Sequence, residues 1–148
     1  MKKRGRGQIK IFEITVLNQT LIGNVKINGK EPEPHERKTI NFLASLGYDV
    51  ETIIPSNTPG SRNPDILMLG TFWEMKGPIT ANERKIIKRF RKAIKQAEGK
   101  SIFDLRNIRK NTDRDLAEKI IIRLFAEMGD MRRVIIIKDD RNGLDIMK

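Results

Sequence analysis

The stretch NPDILMLGTFWEMKGP, Asn63 to Pro78, decides the fold and raises the functional question. Two apolar, strand-like runs, about 64–69 and 71–76, meet at Gly70, the pattern of a β-hairpin. Asp65 opens the first run, and Glu74 and Lys76 lie inside the second. Charges at such positions are costly unless they are paired or hold a cation. Alternate residues of a strand share a face, so Glu74 and Lys76 project together, while Trp73 and Met75 point to the other side. Asp65 is the expected cross-strand neighbour of the pair. Two carboxylates converging beside an ammonium suit a hard divalent ion with oxygen ligands. Such an ion polarises a phosphate and lowers the pKa of a bound water. Taken alone, Glu-x-Lys is more often a surface ion pair than a site; the surrounding pattern of Pro-Asp, a Gly hairpin and a basic helix shifts the reading.

Outward from the hairpin, helical spacing appears on both sides. In PHERKTINFLASLGYDV, apolar residues at 40, 42, 43 and 46 predict a helix, with Pro34 in its first turn and Gly47 as its stop. YDVETII reads as a strand, and PSNTPGSRNP is a loop dense in turn formers. Beyond the hairpin, Asn82 can cap a helix over 82–98, whose apolar stripe is Ile86, Ile87, Phe90, Ile94 and Ala97, with Gly99 at its end. SIFDL is a short strand. TDRDLAEKIIIRLFAEMG is a further helix, with Thr112 and Asp115 spaced like a capping box and Gly129 as terminator. RRVIIIK is a β-branched strand. QIKIFEITVL (8–17) and TLIGNVKI (20–27) look like two strands joined by an Asn-Gln turn. The order is ββ and then αβββαβαβ. It predicts an α/β (α+β) fold, a mixed central sheet flanked by helices, with an N-terminal β-hairpin extension. Residues 1–30 are read as a basic arm and hairpin, and residues 31–148 as the principal domain. Trp73, Phe72, Phe90 and Phe125 are read as core.

The 148 residues suit one domain with its own core. Zero cysteines exclude disulfides and thiolate-held zinc, and the single histidine, His35, excludes a multi-histidine metal site within one chain. No run is long and apolar enough for membrane insertion. The net charge of +11 favours a polyanionic partner, nucleic acid first. Residues 82–100 alone carry +6, from eight basic residues against two acids. With the apolar stripe turned to the sheet, the cations remain on the outer face, as phosphate-backbone contact requires. A second basic cluster, Lys2, Lys3, Arg4, Arg6 and Lys10, is a candidate nucleic-acid arm. His35, without an identified partner, is not assigned a catalytic role.

Pro64-Asp65, eight intervening residues and Glu74-Met75-Lys76 together resemble the PD-(D/E)xK nuclease superfamily, and the αβββαβ order over about residues 33–138 resembles its restriction-endonuclease-like core. The resemblance implies that Asp65 and Glu74 hold a metal, usually magnesium or another divalent cation, and that Lys76 is the catalytic lysine. It implies a further acid from the first helix, for which Glu36 is the best placed, as metal ligand and catalytic group. Glu31 and Glu33 are weaker candidates. Gln96 resembles a polar residue on the helix after the lysine strand and joins Lys85, Lys88, Arg89, Lys92 and Lys95 as a candidate nucleic-acid contact. One branch is more similar still. HER…LASLGYDVE…NPDILMLGTFWEMKGP…IKRFRKAIKQAEGKSIFDL is similar to the tRNA-cleaving C-terminal toxin domains of contact-dependent growth inhibition (CdiA-type) proteins. Those domains end very large secreted proteins, whereas this sequence opens at Met1. The resemblance implies a metal-dependent endoribonuclease acting on tRNA in the bacterial cytoplasm after delivery to a neighbouring cell, with a cognate immunity protein as partner. A DNA endonuclease of resolvase or restriction type is the alternative on the same fold. A non-catalytic basic nucleic-acid-binding protein is the second. The latter gains nothing from acids in the middle of a phosphate-binding face, which repel the ligand unless a cation offsets them.

Overall fold

In a computed structural model describing residues 9–17 and 22–148, eight strands form one mixed sheet with three helices. The elements run β1 (Lys10–Thr15), β2 (Val25–Lys26), α1 (Pro34–Ser45), β3 (Val50–Thr52), β4 (Ile66–Met68), β5 (Thr71–Lys76), α2 (Glu83–Ala97), β6 (Lys100–Asp104), a 3-10 turn (Leu105–Asn107), α3 (Asn111–Glu127), β7 (Arg133–Ile137) and β8 (Asn142–Met147). The sheet order is β1-β8-β7-β6-β5-β4-β3-β2. Strands β5, β6 and β7 are parallel, so each step between them needs a crossover, which α2 and α3 supply. The expected αβββαβ order is present, and the fold class is as the sequence predicts.

The hairpin at the N-terminus is not. β1 pairs antiparallel with β8 at one edge of the sheet, and β2 pairs parallel with β3 at the other. Both strands take their partners from distant sequence, and their alternation says nothing about which partner completes the ladder. The Asn-Gln turn and the cluster Lys2, Lys3, Arg4 and Arg6 lie outside the described residues.

Alternation along the central strands divides the core. On β7, Ile135 and Ile137 join Trp73, Ile40, Leu43 and Ile102 on the α1 face. Val134 and Ile136 join Phe90, Phe103, Ile121 and Phe125 on the α2–α3 face. Of the aromatics read as core, Trp73, Phe90 and Phe125 have no exposed surface, whereas Phe72 is 40% exposed on the outer side of the β4–β5 hairpin. Leu69 (φ 55°) and Gly70 (φ 72°) form the two-residue turn between β4 and β5; the left-handed conformation at both positions matches the twist of the paired strands.

Local caps follow the sequence at α1 and α2 but not at α3. Pro34 opens α1 inside a reciprocal capping box between Glu33 and Glu36, and Gly47 (φ 97°) follows its C-terminal cap, Leu46. The Asn82 side chain accepts from the Lys85 N–H at 3.0 Å at the start of α2. α3 begins one residue early, at Asn111, with Lys110 in the cap position and no side-chain cap bond, so the Thr112–Asp115 box does not form. Its C-terminal cap is Met128 rather than Gly129.

β8 has no counterpart in the sequence reading, and Asp145 interrupts its apolar run. The structure pairs that carboxylate with Arg133 on β7, at 3.0 and 2.6 Å, and the same guanidinium lies 5.5 Å over the Trp73 ring. Asp145 is buried. Replacing it with alanine leaves Arg133 without its bidentate partner, and Asp145→Ala is expected to cost about 2 kcal/mol in urea unfolding. A loss within error of zero would show the pair to be screened by solvent.

Candidate active site

The β4–β5 hairpin brings Asp65 and Glu74 together. Ile66 pairs with Trp73, so one step further Asp65 falls opposite Glu74. Its backbone N–H donates to the Trp73 carbonyl at 3.0 Å, and its Oδ2 accepts from the Met75 N–H at 2.7 Å. The Asp65 side chain therefore replaces a backbone carbonyl in the ladder, fixing the carboxylate beside β5. Pro64, which is buried, precedes it and lacks an N–H to compete for these acceptors.

Glu74 and Lys76 face α2, while Trp73 and Met75 pack on the α1 side. β5 is interior to the sheet and covered by α2, so Glu74 is only 5% exposed. Its Oε2 lies 3.7 Å from the Lys92 Nζ, and its Oε1 is buried without a hydrogen-bond partner among the described residues. Burial, then the neighbouring Asp65 charge, pushes the Glu74 carboxyl up to about 7, against the pull of Lys92 and Arg89. Asp65 is also raised, chiefly by burial, with the Met75 hydrogen bond and Lys92 acting against it. Burial lowers Lys76, and Arg89, Lys92 and Lys85 lower it further by cationic repulsion. Burial thus shifts all three groups in one small volume, and the Asp65 charge acts on both Glu74 and Lys76.

Asp65 and Lys76 line a cavity of ≈ 200 Å³ with His35, Glu36, Thr39 and Gly77, closed on the α2 side by Arg89 and Lys92. Glu36 joins the site from α1 and raises the pKa of Asp65 electrostatically. Its Oε1, however, accepts from the Glu33 N–H at 2.9 Å in the capping box. Among the described residues, no group of three His, Cys, Asp or Glu side chains gathers closely enough to hold a metal ion. The carboxylates that meet directly across the hairpin are Asp65 and Glu74. The unpartnered, buried Oε1 of Glu74 fits a hard cation, which is held through carboxylate oxygens.

Of the α2 residues singled out from sequence, Lys92 and Arg89 reach the carboxylates and Lys85 and Lys88 line the adjoining surface. Lys95 is exposed further along the helix. Gln96 is tied inward, its Oε1 accepting from the Asn63 N–H at 2.5 Å, which anchors the loop leading into Asp65. Two lining groups, and one acid behind them, have no assignment from sequence. His35 and Thr39 reach the cavity because α1 crosses its rim. Asp104, buried at the end of β6, accepts from the Thr39 hydroxyl at 2.7 Å and from Arg106 Nε and Nη2 at 2.9 and 2.7 Å. An acid closing the apolar run SIFDL was the available signal for Asp104.

Titration of Glu74 has a stability consequence. Its carboxyl is raised in the folded state from an ordinary value of 4.5 to about 7, so below 4.5 both states are protonated and no penalty exists. As pH rises from there to about 7 the unfolded chain loses its proton first and folding is progressively weakened; above that window the penalty is complete. Glu74→Gln is therefore expected to raise stability at pH 8 in EDTA by about 2 to 3 kcal/mol and to leave it nearly unchanged at pH 4. Thermal melts at the two pH values check this; an equal gain at both would put the effect outside ionisation.

A family model described as the contact-dependent growth inhibition CdiA C-terminal domain matches residues 62–142, from just before Asp65 to the start of β8. Among solved structures, a CdiA-CT/CdiI toxin and immunity complex from Burkholderia pseudomallei is similar, with a TM-score of 0.52 and 20% sequence identity, covering 82% of this chain and 98% of that chain. At that identity the likeness concerns the fold. No curated protein matches the chain.

Proposed function

The chain belongs to the family of contact-dependent growth inhibition CdiA C-terminal domains, and from that membership we propose that it is a toxin nuclease of the PD-(D/E)xK type, a metal-dependent endoribonuclease whose substrate is tRNA. One observation carries the reading: Glu74, buried in an interior strand with an unpartnered oxygen, is held against Asp65 and beside Lys76 under a helix of cations. A fold gains no stability from such an arrangement. Raised carboxyl pKa values are a cost in the folded state, retained where a cation or a substrate phosphate uses the site.

Asp65 and Glu74 would hold the ion, magnesium by the resemblance. Bound there, a divalent cation supplies Lewis-acid stabilisation of the charge that develops on the phosphoryl oxygens. The Met75 N–H fixes the Asp65 carboxylate, so its free oxygen needs no reorganisation to meet a ligand. Lys76 donates to the scissile phosphate and offsets its growing charge. Arg89 and Lys92 seat the flanking phosphates and keep the approach to the carboxylates attractive to a polyanion. Lys92 exchanges its 3.7 Å contact with Glu74 for phosphate when the cation is present. Glu36 serves as an outer acid, its capping bond to Glu33 holding it at the rim.

The choice of tRNA rests on the resemblance. A non-catalytic binder is disfavoured by the Asp65–Glu74 pair itself, which opposes phosphate binding. No helix among the described residues is long and apolar enough to cross a membrane. Action in the cytoplasm of a contacted neighbour, with a cognate immunity protein as inhibitor, follows from the family and accords with the toxin and immunity complex named above.

Incubation of purified protein with total tRNA, and separately with plasmid DNA, in magnesium or EDTA, tests the reading. Magnesium-dependent tRNA fragments are expected from the wild type. Glu74→Ala should abolish them, with RNA binding in EDTA retained or tightened. Cleavage surviving in Glu74→Ala would sink the proposal, and cutting confined to DNA would move the site to a DNA endonuclease. Lys76→Ala should lower turnover by at least about a hundredfold, within the range of a lost transition-state donor, while leaving substrate affinity nearly unchanged.

Neutralising Lys88, Arg89 and Lys92 together should reduce the slope of log affinity against log salt by about 2 to 3. An unchanged slope would place the substrate on another face.

A further inference from the structure

Beside the carboxylate cavity lies a second, of ≈ 350 Å³, between the β5–α2 connection and the first half of α2. Its rim carries Lys85, Lys88 and Arg89, and its inner wall is apolar, made by Pro78, Ile79 and Phe103. Phe103 has no exposed surface and closes the floor, whereas Ile79 stands 71% exposed at the lip. Lys76, Gly77 and Arg89 line both cavities, so a chain crossing the carboxylates passes directly into the second. No acid lines it.

Cations alone would describe a track for any phosphate backbone. An apolar wall inside the ring of cations is of use only to an apolar face. Within a duplex the base faces are stacked on one another and only their edges turn outward, so a helix cannot fill this recess. An unstacked base can, with its phosphates on the rim and its face against aliphatic side chains. The volume is in the range that small-ligand pockets occupy, above about 300 Å³.

We propose that this second cavity is a subsite for one unpaired nucleotide of the RNA substrate, adjacent to the scissile phosphate, so that the enzyme acts on single-stranded segments rather than within a helix. The proposal rests on the nuclease reading for the identity of its ligand, but its test does not use cleavage. Ile79 carries the apolar lip, and its exposed loop position lets it be changed without touching the core.

Binding is measured in EDTA with two RNAs, a single strand bearing 2-aminopurine at successive positions and a blunt duplex of matched length. The fluorescence of 2-aminopurine is quenched by stacking on neighbouring bases and rises when the base leaves the stack. With the wild type, fluorescence should rise at one position of the single strand. Ile79→Ser should abolish that rise and weaken single-strand binding roughly tenfold, within the contribution of one base contact, with duplex binding unchanged. Ile79→Leu, which keeps the apolar contact, should behave as wild type. Equal single-strand affinity for Ile79→Ser and wild type would overturn the subsite, as would an equal loss on both RNAs. Failure of magnesium-dependent cleavage would count against the nuclease reading and leave these outcomes independent of it.

Discussion

The repulsion between two carboxylates governs this molecule. Asp65 and Glu74 face one another across the β4–β5 pair, both raised in pKa by burial and by proximity to further acid. Everything around them reads as a response to that repulsion. A backbone N–H holds Asp65, the ammonium of Lys92 stands off Glu74, and the cations of α2 cover the cleft. Because the hairpin is only two residues at its turn, with Leu69 and Gly70 both left-handed, the strands have no slack with which to separate the acids. The charge is locked in by register, and a one-residue slip would turn Glu74 into the α1 core, where Trp73 now sits.

A second network fixes the helix that crosses the cavity. Arg106 donates to Asp104, to the Lys38 carbonyl of α1 and to Asp140 in the β7–β8 connection, while Thr39 donates to Asp104. The guanidinium also lies 5.3 Å over the Phe42 ring. One buried ion pair, satisfied on nearly every donor, thus sets the distance between α1 and the end of β6. Since α1 carries His35 and Glu36, the shape of the carboxylate cavity depends on this pair even though it makes no contact with the two central carboxylates. The same logic applies to Gln96, whose bond to Asn63 ties the loop before Asp65 to the last turns of α2.

The hairpin, α1 and α2 were legible in the sequence because each declares itself within about fifteen residues, by alternation, helical spacing or a cap. The pairing of Asp65 with Glu74 was legible for the same reason: its geometry is set by a local turn. What escaped was non-local. Nothing in KIFEIT names β8 as its partner, and nothing in LDIM shows that Asp145 is neutralised by an arginine on β7. The missed cavity residue Thr39 and its partner Asp104, which lies behind the cavity, come from elements 65 positions apart that meet only in the folded sheet. At α3 the expected cap lost to a helix beginning one turn position earlier, where no side chain competes for the first N–H groups. Phe72 is expected on a buried face, but strand parity puts it on the face opposite Trp73, at the hairpin end where it stands exposed.

The two ends of the described chain are neighbours: Lys10 faces Met147, and the Val16 N–H donates to the Arg141 carbonyl at 2.7 Å. Among the described residues, β1 has no other strand beside it. A polypeptide that emerges N-terminus first, from a ribosome or through a narrow pore, must therefore keep residues 10–15 waiting until residues 142–147 have followed. Until then β7 also lacks its outer neighbour, and the sheet cannot close on that side. Closure of that edge therefore waits for β8: the earliest described strand depends on the latest one.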